Sequence, residues 1–185
     1  MFNIISPDRF KTIPWKNGQG VTSELAVSQG HGLADFTWRI SIAQVDKDGA
    51  FSDFTGLHRT LVLLEGRGLE LCHDDKTRDR LERPLDLASF DGGSRTVGRL
   101  ISGPITDFNV MSRVGRMSAE VGLYRERAEV EAPTTELGFV YCALEDADIC
   151  DAAGGVVSSL PVGHLLRGGP ALSGAFTVRG RGLIS

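Results

Sequence analysis

The sequence is short of the residues from which metal centres and nucleophilic sites are built. Its 185 residues include only 4 histidines and 3 cysteines, with no His-x-His pair, no Cys-x-x-Cys and no Gly-x-Ser-x-Gly. A divalent ion wants three or four nitrogen, sulfur or oxygen ligands on one inner face, and an acyl-transfer site wants a nucleophile with a patterned histidine partner. With those marks missing, neither a metal nor a cofactor is expected. The cysteines, Cys72, Cys142 and Cys150, are odd in number and fit reduced, packed thiols rather than a disulfide frame.

Excess positive charge is missing as well. Against 20 lysines and arginines stand 24 acidic residues, a net charge of −4, and no Lys/Arg run occurs. That sign and that dispersal are wrong for a protein that tracks a phosphate backbone, so nucleic acid is not an expected partner. No segment approaches the roughly 18 apolar residues that span a bilayer. Pro7, Asp8 and Arg9 interrupt the stretch where a secretory leader would carry its apolar segment. No membrane is expected as a partner, and the expected location is cytoplasmic.

Long amphipathic stretches are scarce, whereas 23 glycines and 7 prolines accompany 41% hydrophobic residues. Enough apolar mass for a core, cut into short pieces by turn formers, indicates a mainly β protein. Ser6 followed by Pro7 suits a single opening helical turn. Trp38 to Val45 alternates large apolar residues with Arg39, Ser41 and Ala43, the period-two pattern of a strand with two unlike faces. Arg59 to Leu64 is a near-continuous apolar run, and Glu65-Gly66-Arg67-Gly68 turns it back into the alternating Leu69 to Cys72. The polar residues from His73 to Arg83 read as a loop or a hairpin tip, and Pro84 to Phe90 as an edge-like segment. Val97 to Ile101 and Phe108 to Met111 complete this half.

From about Met117 the pattern restarts. Gly138 to Leu144, an acidic turn and Asp148 to Asp151 echo the earlier strand, turn and strand, and "HLLRGG" from His164 ends the second unit much as "LASFDGG" from Leu87 ends the first. An internal β duplication accounts for both, with one unit over about 1–116 and another over about 117–185.

Several segments are similar, in order and spacing, to the HutD/Ves family: "PWKNGQGVTSEL" from Pro14, "FTWRISIAQV" from Phe36, "GAFSDFTGLHRTLVLLEGRGLEL" from Gly49, "FDGG" from Phe90 and "GPITDFNVMSR" from Gly103. One departure is Gln19, in Asn17-Gly18-Gln19-Gly20, where relatives often carry a run of glycines. The resemblance implies a double-stranded β-helix bicupin, two RmlC-like jelly-roll cupin barrels in one chain. It further implies a non-enzymatic protein that senses a small anionic metabolite of histidine degradation, urocanate or formylglutamate, and limits pathway expression. The Ves branch implies a link to stress responses instead.

The residues themselves offer a binding constellation. Trp15, Lys16, Asn17 and Gly18 supply an aromatic wall, a cation, an amide and close backbone approach, the few polar groups in an apolar setting that small-ligand sites use; a tight turn at Asn17-Gly18 explains the same residues structurally. Arg39 and Ser41 share one strand face, which meets either solvent or a cavity. Arg59, beside His58 and at the head of an apolar run, needs a partner if buried. A guanidinium fork matches a carboxylate, so Arg39, Arg59 or Arg113 suits an anionic ligand; internal pairing with Asp91, Glu24 or Asp107 is the alternative. Asn109, Met111 and Arg113 share a face of their strand, where Asn109 serves a pocket or holds a neighbouring strand. His58 is a candidate ligand-binding residue or, like His164, a hydrogen-bonded structural one. Two other functions stay open: an enzyme working through Glu24, His58 or Asp91, and an interaction module using β edges, which would also admit a homodimer.

Overall fold

The structure is a computed structural model that describes residues 2–15, 20–28, 35–169 and 176–185. The strands, numbered along the chain, start with β1 (Asn3–Ile5), followed by a 3-10 turn at Pro7–Arg9 that begins on the proline, as its fixed φ favours. Then come β2 (Lys11–Pro14), β3 (Gly20–Val27), β4 (Trp38–Val45), β5 (Gly49–Ala50), β6 (Leu57–Glu65) and β7 (Leu69–His73). They continue with β8 (Thr77–Leu81), β9 (Leu87–Asp91), β10 (Thr96–Leu100) and β11 (Ile105–Arg113). The C-terminal part adds β12 (Leu123–Tyr124), β13 (Ala128–Glu131), β14 (Phe139–Cys142) and β15 (Ala147–Asp151). It closes with β16 (Val156–Leu160), β17 (Leu165–Arg167), β18 (Phe176–Gly180) and β19 (Leu183–Ile184). Among the described residues no helix is long and apolar enough to cross a membrane.

The chain divides into two compact units, Lys11–Ala119, and Met1–Phe10 with Glu120–Ser185. The expected division, with residues 1–116 in a single N-terminal unit, is corrected at the start of the chain. β1 pairs antiparallel with β17, Asn3 opposite Arg167 and Ile5 opposite Leu165, so residues 1–10 belong with the C-terminal unit. A three-residue strand whose partner lies about 160 positions away leaves no local sequence mark.

In the Lys11–Ala119 unit a six-stranded sheet, β2-β3-β4-β11-β6-β9, and a four-stranded sheet, β5-β10-β7-β8, share one core. Leu61, Leu63, Ala88 and Ile105 of the first pack with Leu69, Leu71 and Leu81 of the second. The other unit repeats the plan with the sheets β1-β17-β14-β19-β12 and β13-β18-β15-β16 around Val140, Ile149, Leu160, Leu166 and Val178. Pairings are antiparallel and neighbours are often distant in sequence, as with β4 and β11, which is the winding of a jelly roll. The fold is mainly β, of the bicupin kind.

Two turns show how sequence shapes the sandwich. Gly66 and Gly68, between β6 and β7, have φ of +104° and +110°, a region that L side chains avoid. The polar stretch after His73 is a tight hairpin: Asp74 and Asp75 take φ of +52° and +58°, Lys76 N–H donates to the His73 carbonyl at 2.9 Å, and β8 follows. β8 is an edge strand whose exposed residues, Thr77, Arg78 and Arg80, disguise it as a loop.

Candidate functional site

β11 runs down the middle of the six-stranded sheet, between β4 and β6. Residues directly opposite one another on neighbouring strands point to the same face, so the register builds rows across it. Arg39, Met111, Arg59 and Phe90 form one row; Ser41, Asn109, Leu61 and Ala88 form the next; Ala43, Asp107 and Leu63 form a third. Leu61, Leu63 and Phe90 are core, whereas the side chains of Arg39, Met111 and Arg59, with Ser41, Ala43 and Asn109, open onto a cavity of about 440 Å³. That volume lies within the roughly 300–1,000 Å³ of small-ligand sites. Ile13, Pro14 and Trp15 from β2 and its end, and Phe51 and Phe54 from the β5–β6 connection, complete an apolar and aromatic wall. Trp15 is held in place by its Nε1–H, which donates to Thr22 Oγ1 at 2.7 Å.

Two buried arginines face this space. Arg39 Nε donates to Glu24 Oε2 at 2.8 Å, an ion pair between β4 and β3. Arg59 is held differently. Its Nη2 donates to Asn109 Oδ1 at 3.0 Å, and Asn109 Nδ2 in turn donates to Asp107 Oδ1. Its guanidinium carbon lies 5.2, 5.5 and 5.1 Å from the ring centroids of Phe51, Phe54 and Phe90, within reach of cation–π attraction. Among the described residues, Arg59 Nε and Asp107 Oδ2 are buried without a hydrogen-bond partner.

Burial sets the electrostatics of this array. It pushes Asp107 up to about 7, against the pull of Arg59 and of the Asn109 amide, which favour the carboxylate. It pushes Arg59 down to about 10, with Arg39 adding to the effect and Asp107 opposing it. Arg59 therefore remains a cation at neutral pH, with an incompletely used donor set beside an apolar cavity. Such a guanidinium suits a carboxylate.

Of the residues singled out in the sequence, Trp15, Arg39, Ser41, Arg59, Asn109 and Met111 come together around the cavity. Lys16 and Asn17 lie outside the described residues. His58 does not share the site: it is exposed on the other face of β6, with Nε2 2.8 Å from Ser89 Oγ, because Arg59, its neighbour in a period of two, takes the inner face. Arg113 continues the face of Met111 but sits at the strand end, where its Nε donates to the Phe36 carbonyl at 3.2 Å and it does not line the cavity. His164 Nδ1 is 3.2 Å from the Val162 carbonyl in the other unit. Asp91 Oδ1 accepts from the Gly93 N–H at 2.8 Å, closing a turn. Phe51 and Phe54 went unrecognised in the sequence, although they lie inside the segment "GAFSDFTGLHRT"; a loop gives no periodicity from which to read a facing direction. Among the described residues no group of three or more His, Cys, Asp or Glu is placed to hold a metal ion. If the carboxylate-binding face is the inner one, His58→Ala should leave anion affinity within about twofold in calorimetry, as expected for a surface change away from the site.

A family model, HutD, matches residues 8–183 of this chain. The chain is 38% identical over 118 residues to an uncharacterised 21.2 kDa protein of the hutC 3′ region of Pseudomonas putida, covering 64% of this chain and 62% of that protein. It is 34% identical over 108 residues to protein Ves of Escherichia fergusonii, covering 58% of this chain and 56% of that one. The matched part thus spans less than two thirds of either relative. The solved structure of HutD from Pseudomonas fluorescens aligns with a TM-score of 0.79 and 28% identity, over 100% of this chain and 97% of the other.

Proposed function

The chain belongs to the HutD family, and on that premise we propose that its Lys11–Ala119 unit binds a small carboxylate from histidine degradation, urocanate or formylglutamate, as a sensor that limits expression of the pathway. The observation that carries this reading is Arg59, a buried cation whose Nε has no hydrogen-bond partner among the described residues, at the wall of a cavity lined largely with apolar and aromatic groups. A ligand carboxylate supplies the acceptor that Arg59 lacks, and a desolvated guanidinium–carboxylate contact is among the stronger polar interactions available. Arg39, ion-paired to Glu24, lies on the other side of Met111 in the same row, and a flat conjugated ligand meets Trp15, Phe51 and Phe54.

Binding without turnover is favoured because the groups that acid–base chemistry would call on are engaged elsewhere. Glu24 holds Arg39, His58 is on the outer face, and Asp91 closes a turn. Thermal shift and calorimetry with urocanate and N-formylglutamate test the proposal. At a hundredfold excess over Kd the unfolding midpoint should rise by about 5 °C, with no consumption of either acid in a turnover assay. No shift and no heat with either acid would overturn the reading.

A further inference from the structure

We propose that the cavity takes up its carboxylate ligand together with a proton, which goes to Asp107 as the incoming carboxylate replaces it as the counter-ion of Arg59. This rests on the reading of the cavity as a carboxylate site. What it adds is a built-in dependence of that site on pH.

Geometry and charge carry the inference. Asp107 is fully buried in the row beyond Asn109, flanked by Ala43 and Leu63, and reaches the cavity only through the Asn109 amide and Arg59. One of its oxygens takes the Asn109 amide and the other, Oδ2, has no hydrogen-bond partner among the described residues. Among the described residues, the charged groups facing this array are few. On β4 and β3, Arg39 and Glu24 neutralise each other at 2.8 Å. On the facing sheet, His73 of β7 stands behind the Phe90 ring at 4.5 Å between centroids, with Nδ1 2.9 Å from Thr96 Oγ1 on β10 and Nε2 3.1 Å from Asp79 Oδ2 on β8. On β6, Arg59 is the cation whose charge acts on Asp107.

Empty, the array therefore balances one uncompensated cation, Arg59, against one carboxylate, Asp107. A bound carboxylate makes two anions for that cation in a medium of low polarity, and two carboxylates that share one site cannot both stay ionised cheaply. The ligand meets guanidinium donors directly, whereas Asp107 touches Arg59 only through an amide. Asp107 is thus the group that gains the proton. The proton comes from solvent and resides on the orphaned Oδ2, while Oδ1 keeps its bond from Asn109; a neutral hydroxyl costs less to bury there than a charged oxygen. Burial already holds Asp107 at about 7, so the exchange falls in the physiological range. The sign follows: below about pH 7 the proton is present beforehand, and above it each binding event must recruit one, so affinity falls as pH rises, by at most tenfold per unit.

N-formylglutamate is a suitable probe because both its carboxyl groups are ionised across the range tested. Calorimetry at pH 7.5 in two buffers of different ionisation enthalpy should show roughly 0.5 to 1 proton taken up per ligand, and Kd should be about tenfold weaker at pH 8.5 than at pH 6.5. In Asp107→Asn, which fixes the neutral state, Kd should stay flat between those pH values and keep its tight value at pH 8.5. Should that variant not fold, carbon-13 NMR of the Asp107 carboxyl in the native chain reads the same event, and its titration should move to higher pH when ligand is added. Binding with no proton uptake and a flat Kd would overturn the coupling while leaving the carboxylate site standing. An undiminished pH slope in Asp107→Asn would overturn it too, assigning the proton to another group. No binding of the probe at pH 6.5 would overturn both the coupling and the site.

Discussion

Arg59→Met should cost about 3 kcal/mol of stability at pH 8.5, much less at pH 5.5, and weaken carboxylate binding by more than about 100-fold. Methionine keeps most of the buried length of the arginine and its contacts with Phe51, Phe54 and Phe90 while removing the charge. What it leaves behind is Asp107, fully buried, with no cation to hold it ionised. The sign of the pH dependence comes from the raised value of Asp107. A carboxyl that is higher in the folded than in the unfolded chain makes the fold lose stability as pH rises from the unfolded value, 3.8, to the folded one, about 7 in the native chain. Without Arg59 the folded value climbs further, so the variant goes on losing stability above pH 7 where the native chain no longer does. At pH 5.5 Asp107 is neutral in both chains and only the hydrogen bond to Asn109 and the ring contacts differ. Urea unfolding at the two pH values measures this, and the double variant Arg59→Met/Asp107→Leu should recover most of the loss at pH 8.5, since replacing a buried pair by apolar groups is often close to neutral. Equal losses at both pH values, or no recovery in the double variant, would mean that Arg59 acts through packing and not through charge.

The reason this array could be half read from the sequence lies in what periodicity reports. Alternation along Trp38–Val45 puts Arg39 and Ser41 on one face, and alternation along Phe108–Met111 does the same for Asn109 and Met111. Which strand lies beside which, and in what register, is a long-range property: Met111 meets both Arg39 and Arg59 only because β11 inserts between β4 and β6. Glu24 and Asp107 were visible as two of three candidate counter-ions for the arginines, and the register selects them over Asp91, which lies beside the outward-facing His58. Residues read through local chemistry alone fared differently. His58 drew notice for its position next to Arg59, yet adjacency in a strand places two side chains on opposite faces. The strand β8 was hidden because an edge strand facing water has no reason to be apolar, and residues 1–10 join the C-terminal unit through a pairing that no neighbouring residue announces.

Leu61→Ala tests the apolar half of the same sheet, with an expected cost of about 3–5 kcal/mol. Leu61 has no exposed surface and packs with Leu63, Leu69, Leu71 and Leu81, so both sheets of the sandwich close around it. Truncation removes buried methyl groups and leaves a void that a two-sheet core cannot easily collapse, because the backbones on either side are fixed by their ladders. Such a loss is a large part of the roughly 5–15 kcal/mol that holds a domain together. Leu87, on the edge strand β9 and 42% exposed, provides the comparison: Leu87→Ala should cost no more than about 0.5 kcal/mol. Leu61 also stands directly opposite Asn109 in its row, so the void adjoins the amide that links Asp107 to Arg59. Carboxylate affinity should therefore fall several-fold in Leu61→Ala, through a looser amide and not through a lost cation. The two variants separate cleanly by pH. The cost of Leu61→Ala has no titrating group behind it and should be the same at pH 5.5 and pH 8.5, whereas that of Arg59→Met should grow across the same interval. A pH-dependent loss in Leu61→Ala would show instead that Asn109 is released and that the charge array, not the leucine core, sets the stability of this unit.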